Sequence, residues 1–442
     1  MQKVERFLFY CFILFLPTQL GKHFWPDFSF VSGIRIDYLS PIIYFTDVLF
    51  VLLFAVFLLR KRRSFTILHF KIQIVKLKRK SKMYFFVCFA LLFLVCNTFF
   101  SNNPLLSFYG LLKLCECSFL VIYLVKTIHK RVHLQWISFL FAVSALFEST
   151  LAIAQYVNQG SLNSFFYYFG ERTFTGTTPG IANADIGGAL VLRPYATFPH
   201  PNVLAGYLLV SIILVWSFVL KSNQRWVQLF GVVSLIISSI ALLLTFGRVA
   251  ILLWLFLVLF IVGRNIFKMA KTFRIRIFFV FLLAMGLIIL STFPLVHEIS
   301  LRFLQTSLSD ESVTERTELL SASLKMMQAH PFIGVGLDNF IPALAPLQKP
   351  MPLGLYLQPV HNIFVLVLAE TGIVGFVLFI WFLVVTVKRI MSQESGIRNM
   401  LSCLLLIIFF TGSFDHYWLT LQQGQLLFAM ILGLSWARLQ QS

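Results

Sequence analysis

Charged residues are scarce in this sequence: Asp, Glu, Lys and Arg together make up 12% of 442 residues, about half the share of an ordinary soluble protein. Set against 59% hydrophobic residues and 51 phenylalanines, that deficit excludes a string of water-soluble domains and identifies an integral membrane protein. Acidic residues are scarcer than basic ones, 17 against 36. In a soluble protein the resulting net charge of +19 suggests nucleic acid; in a polytopic membrane protein it first reports which segments face the cytoplasm, and no nucleic-acid partner is expected. Cysteine is sparse too, and Cys11, Cys88, Cys96, Cys115, Cys117 and Cys403 all fall within apolar runs, which excludes a disulfide framework and a CxxC metal site. No DxD pair, HExxH, GxSxG, Walker lysine motif or GxGxxG before a helix occurs, so nothing points to a nucleotide-bound metal, a zinc protease or a serine hydrolase. His129 and His133 have the i, i+4 spacing but lie in a basic cytoplasmic turn, a setting that suits phospholipid better than zinc.

Apolar length is what the chain has in abundance. A helix needs about 20 apolar residues to cross the hydrocarbon, and that ruler gives twelve expected spans, near 7–21, 41–59, 83–100, 105–125, 134–157, 203–220, 227–245, 249–263, 277–296, 362–387, 400–414 and 425–437. The first is followed by Gly21-Lys22-His23 without a small-x-small cleavage pattern, so it reads as a retained span rather than a signal peptide. Val227 to Gly263 is one apolar stretch that as a single helix measures roughly 55 Å, nearly twice the hydrocarbon thickness; it must fold back, and Thr245-Phe246-Gly247-Arg248 is the expected break. With the N-terminus cytoplasmic, 26 Lys and Arg fall inside, 9 outside, and Lys113 within a span, as the positive-inside rule requires. The basic run 60–82 anchors this topology and can hold anionic membrane lipids. No internal repeat or separate soluble domain is visible. The whole chain, 1–442, is expected to form one all-α polytopic bundle in the cytoplasmic membrane, with both termini cytoplasmic and long extracytoplasmic loops at 158–202 and 297–361. Long ordered loops are commonly functional, so the site is expected outside the membrane, away from ATP and nucleotide sugars.

The first long loop ends Leu192-Arg193-Pro194-Tyr195-Ala196-Thr197-Phe198-Pro199-His200-Pro201-Asn202. Prolines that cannot continue a helix followed by an N-capping Asn202 start a helix facing the loop; its N–H groups and Arg193 suit an anion, although a capped helix with a snorkelling Arg reads the same way. Arg248 sits at a hairpin tip where topology does not call for a cation. In the second loop, Ser312-Val313-Thr314-Glu315 is a capping box that opens a helix near 313–329, with Val313, Leu319, Leu320, Leu324 and Met327 as its apolar stripe. Arg316 lies in its first turn beside Glu315 and Glu318, which also permits a plain ion pair. His330-Pro331-Phe332-Ile333-Gly334-Val335-Gly336-Leu337-Asp338-Asn339-Phe340 follows, and the loop re-enters the bilayer through Pro359-Val360-His361-Asn362, where His361 is either an interfacial cap or a base at a helix start.

Four of these patterns together, Arg193 with Phe198-Pro199-His200-Pro201-Asn202, the Arg248 hairpin, Glu315-Arg316 leading to His330 through Gly336, and His361-Asn362 followed by Glu370-Thr371-Gly372-Ile373-Val374-Gly375, resemble the O-antigen ligase and polymerase superfamily of bacterial polytopic glycosyltransferases. Their order and their placement relative to the spans match over residues 180–390; the first 150 residues match only as a run of spans. The resemblance implies a helical bundle of the GT-C type, an undecaprenyl-diphosphate-linked glycan donor, no metal and no cofactor. It further implies that Arg193, Arg248 and Arg316 bind the diphosphate, that His361 is the catalytic base for inverting attack by an acceptor hydroxyl, and that His200, Asn202 and Asn362 support them. Gly247 stands where the family often has Ser before the hairpin arginine. Ligase and polymerase branches share these motifs, so the acceptor, whether lipid A core, another lipid-linked glycan or a protein, stays open. A transporter or flippase for lipid-linked glycans is the competing class, and it requires ionisable groups near mid-membrane and related halves; Glu116, Glu148 and Glu370 lie within spans.

Overall fold

The computed structural model describes residues 2–62, 81–129, 131–186, 188–219, 222–266, 311–347 and 357–437. The span expected at 277–296, most of the basic run 60–82, and stretches 297–310 and 348–356 of the second loop lie outside the described residues. Among the described residues, six helices are long and apolar enough to cross a membrane: Pro104–Thr127 (α4), Val132–Asn158 within α5 (Arg131–Asn158), Pro201–Phe218 (α6), Arg225–Leu244 (α7), Ile363–Met391 (α11) and Ser395–Gly412 (α12). Shorter apolar helices at Phe85–Phe99 and Arg248–Phe260 belong to α3 (Ser81–Phe99) and α8 (Arg248–Ile266). The protein is thus a polytopic all-helical membrane bundle.

The ends of the chain depart from simple spans. The first helix, α1, is Gln2–Leu14, shorter than the apolar run 7–21, because Pro17 has no N–H to extend it. The chain then pairs strand β1 (Gly21–His23) with β4 (Ile42–Tyr44), encloses the ribbon β2 (Phe30–Val31) with β3 (Ile34–Arg35), and enters α2 (Phe45–Arg62). A third ribbon, β5 (Asn183–Ile186) with β6 (Ala189–Leu192), leads into Arg193. In these small ribbons backbone groups are paired locally without a helix, and β4 takes the start of the run expected as a span at 41–59, whose helix begins at Phe45.

Helix α6 is the axis of the bundle. It is apolar all round and buries Val203, Leu204, Tyr207, Leu208, Leu209 and Val210, as expected of a helix enclosed by others; α5, α7 and α12 pack around it. Helices α7 and α8 part at Leu244 and Arg248, the expected break, with Phe246 at φ 51° inside the turn. The second loop's helix, α9, is Glu311–Ala329 and packs on α11 and on the short α10 (Phe340–Leu344). Its buried face is Leu319, Ala322, Ser323 and Met326, while Leu320 and Leu324 are exposed. The apolar stripe expected from the sequence is therefore corrected: an apolar residue on a membrane protein can face lipid as readily as protein, so hydrophobicity alone does not select the packed face.

Helix α11 is broken at Gly372, where φ is 61° and ψ −170°, and the loop after α9 fills the break. Val335 N donates to Ala369 O at 3.0 Å and Gly336 N to Glu370 O at 2.9 Å; in return Ile373 N donates to Pro331 O at 2.9 Å. Asn97 on α3 donates to both the Ile333 and Glu370 carbonyls and accepts from Leu337 N. A broken helix at membrane depth is tolerated only where other protein groups satisfy its freed backbone, and these bonds do so. The two backbones approach so closely that a Cβ at Gly334 meets the Glu370 carbonyl carbon at 2.4 Å, and one at Gly372 meets that of Phe332 at 2.4 Å. Gly372→Ala combines this clash with a left-handed φ, and is expected to cost about 2 kcal/mol or more. The check is the Tm in detergent, against Gly396→Ala as a control, since nothing lies within 4 Å of that position.

Candidate active site

Two turns converge at the starts of α6 and α11 and the end of α12. The chain leaving β6 passes Arg193 and a sharp turn at Ala196, φ 50°, before α6 begins. Two polar side chains of α5 hold that turn. Gln155 Oε1 accepts from Tyr195 N at 3.0 Å and Ala196 N at 2.7 Å; Glu148 accepts from Thr197 N at 3.1 Å and from its hydroxyl at 2.9 Å. Glu148 is thus committed to loop geometry.

Arg193 is 8% exposed. Its Nε donates to Thr245 O at 2.6 Å and one terminal nitrogen donates to Asn202 Oδ1 at 2.7 Å, so the guanidinium joins the α7–α8 turn to the start of α6. Arg248, half-buried, is the first residue of α8 in the same turn. His200, the N-cap of α6, accepts from Asn202 N through Nδ1 at 3.1 Å, which assigns any ring proton of the neutral form to Nε2. Burial and the neighbouring Arg193 push His200 down to about 3, so it is neutral at physiological pH.

The centre of the cluster is a residue that the sequence reading does not single out. Asp415, in the turn between α12 and the short helix α13 (Tyr417–Thr420), accepts from Asn202 Nδ2 at 2.8 Å through Oδ2. Its Oδ1 accepts from His416 N at 2.8 Å and lies 3.7 Å from His361 Nδ1. Burial opposes the Asp415 charge, but His361, His416 and His200 around it outweigh that and hold its carboxyl well below the usual carboxylate range. His416 stacks obliquely on His361, ring centres 5.1 Å apart, and its Nδ1 is 2.6 Å from Thr420 Oγ1. Burial lowers His416 to about 4, against the pull of Asp415. His361 is fixed from below by Asn362, which caps α11 by accepting from Phe364 N and Val365 N and donates to Ser413 O at 3.1 Å. His361 Nδ1 is buried and makes no hydrogen bond among the described residues; 3.7 Å is too long for one, but such bonds commonly tighten when substrate binds.

Of the residues expected from sequence, Arg193, His200, Asn202, His361 and Asn362 therefore meet around Asp415, and Arg248 shares the turn that Arg193 grips. Arg316 stands outside this network: it is exposed on α9, and no ion pair to Glu315 or Glu318 occurs among the described residues. Glu315 instead accepts a hydrogen bond from Gln358. The signal available for Asp415 and His416 was an acid and a histidine side by side in a short turn between two apolar runs. Chemically, an Asp beside a His whose other nitrogen is available is an oriented general base. The same three residues, His361, Asp415 and His416, present ligand atoms within 4.8 Å of one another, a donor set that also suits a divalent cation.

Residues 233–380 match the family model described as O-antigen ligase. The match spans about a third of the chain and includes Arg248, Arg316 and His361, but neither the Arg193–Asn202 segment nor Asp415. No curated protein matches the chain. With the membrane-length helices, the match supports a polytopic membrane enzyme of the O-antigen ligase and polymerase type.

Proposed function

We propose that the protein moves a glycan from an undecaprenyl-diphosphate carrier to an acceptor hydroxyl at the outer face of the bacterial cytoplasmic membrane, with inversion and without a metal. In this reading the bundle has twelve spans in a GT-C arrangement, both termini are cytoplasmic, and segments 158–202 and 297–361 are the extracytoplasmic loops. The carrying observation is the series Arg193, Asn202, Asp415, His361, in which a cation is hydrogen-bonded through one amide to a carboxylate that lies 3.7 Å from an imidazole. His361 takes the acceptor's proton on the nitrogen facing away from Asp415, and Asp415 stabilises the imidazolium that results. The acceptor oxygen attacks the anomeric carbon as its bond to the diphosphate oxygen breaks. Arg193 and Arg248, with Arg316 from α9, stabilise the charge left on the diphosphate, while His200, Asn202 and Asn362 keep the cations and the base in register.

A polymerase acting on a second lipid-linked glycan uses the same chemistry and differs only in acceptor. A transporter is less well supported, because the intramembrane carboxylates have fixed partners: Glu116 and Asp47 share Lys113, at 3.4 and 2.7 Å, Glu148 holds Thr197, and Glu370 Oε1 accepts from Phe340 N at 3.4 Å. The test is to incubate purified protein with a synthetic lipid-diphosphate oligosaccharide and candidate acceptors, without nucleotide and in excess EDTA. Transfer is expected to persist. Loss on chelation, restored by Mg²⁺ or Mn²⁺, refutes the metal-free reading and makes His361, Asp415 and His416 the first candidates for its ligands.

A further inference from the structure

The N-terminal outer segment, residues 21–44, lies outside the stretch that matches the O-antigen ligase family, yet it reaches the site. It is tied to itself by the two ribbons and by Ser29, whose N–H donates to Pro26 O and whose hydroxyl donates to Leu39 O at 3.1 Å. Ile36 and Leu39 are buried at 7% and 2% exposure, in one cluster with Leu319 and Met326 of α9 and with Val335 and Leu366. Between these anchors, in the one-turn helix Asp37–Leu39, Tyr38 points elsewhere: it stays 41% exposed and sets its ring edge-to-face with His416, centres 5.5 Å apart. Burial of its hydroxyl among protein atoms, reinforced by Asp415, Asp37 and Glu315 and opposed by Arg172, raises its proton affinity. Its exposed surface therefore lies beside the site, against His416. Tyrosines at membrane interfaces commonly serve as anchors, but an anchor has no need to touch His416, itself in ring contact with the proposed base.

We propose that Tyr38 is the platform on which a sugar ring of the acceptor glycan stacks, presenting its hydroxyl to His361. The proposal rests on the transferase reading given above. An aromatic face carries negative quadrupolar charge and receives the C–H face of a pyranose, leaving the sugar's hydroxyls for nearby polar groups. The approach is from the His416 side of Asp415, on Oδ1, whereas Asn202 and Arg193 occupy the Oδ2 side. With the donor diphosphate at the arginines, the exposed face of Tyr38 is left for the acceptor. The rigid tie of residues 36–39 to α9 keeps the ring in one orientation without substrate, which lowers the ordering cost of binding.

Two measurements separate this proposal from the reading beneath it. First, soluble lipid-A-free core oligosaccharide is titrated by saturation-transfer NMR against purified protein in nanodiscs, with no donor present. Tyr38→Ala is expected to weaken binding by about tenfold, the size of one aromatic stacking contact, while Tyr38→Trp and Tyr38→Phe retain it. Second, in turnover, Tyr38→Ala raises the acceptor KM by a similar factor and leaves the donor KM unchanged. No binding of the oligosaccharide by wild type at millimolar concentration overturns the proposal. So does equal binding by wild type and Tyr38→Ala, or loss in Tyr38→Phe matching that in Tyr38→Ala. Tyr38-dependent binding in a protein that transfers nothing refutes the transferase reading and leaves the glycan platform standing.

Discussion

Replacing His361 by Ala is expected to lower glycan transfer by roughly 10² to 10⁴, the usual cost of losing a general base, while expression and donor binding stay near wild type. The side chain is 18% exposed, and the helix it precedes is capped by Asn362 rather than by the imidazole, so its removal leaves α11 its start. The effect should fall on kcat. His361→Ala leaves Asp415 its bonds to Asn202 and His416 N, so the arginine side of the cluster is expected to remain assembled and bind donor. Turnover is compared in membranes at matched protein levels. Activity above about a tenth of wild type removes His361 from the base role.

Arg193→Lys is expected to cost about 10² to 10³ in kcat, or roughly 2.7 to 4 kcal/mol of transition-state stabilisation. The charge is conserved, so a purely Coulombic role predicts little loss. Arg193, however, uses two different nitrogens on Thr245 O and Asn202 Oδ1, and an ammonium cannot reproduce that planar grip. The measurement is kcat per folded protein, with the Tm recorded in parallel. A variant with lowered Tm but unchanged kcat assigns Arg193 to the architecture of the α7–α8 turn alone.

The bundle is legible from the chain because membrane spans are written in length: the stretch Val227 to Gly263 is too long for one helix, and the break falls between Leu244 and Arg248. The helix expected near 313–329 is α9, at Glu311–Ala329, but Ser312 lies inside it rather than capping its start. Its packed face is not legible, because Leu320 and Leu324 look like core residues until something shows that lipid or solvent covers them. The end of α1 before Pro17 and the ribbons of residues 21–44 escape the ruler for spans, the one set by a single proline and the others by local pairings. Within the site, Arg193, His200, Asn202 and His361 carry local signals, a proline-bounded helix start or a re-entry point, and these are read directly. Asp415 carries only a faint one, an acid beside a histidine in a short turn, and its importance comes from Asn202, 213 positions away in sequence. Tyr38 is hidden for the same reason, since only the fold brings it to His416.

The most direct test follows a donor carrying a heavy oxygen isotope at the bridge between the anomeric carbon and the diphosphate. If an acceptor oxygen activated by His361 attacks that carbon, all label stays with the released undecaprenyl diphosphate, the product carries none, and the new linkage is inverted. Label in the glycan product, a retained configuration, or intact donor recovered from the opposite leaflet with no bond broken contradicts it.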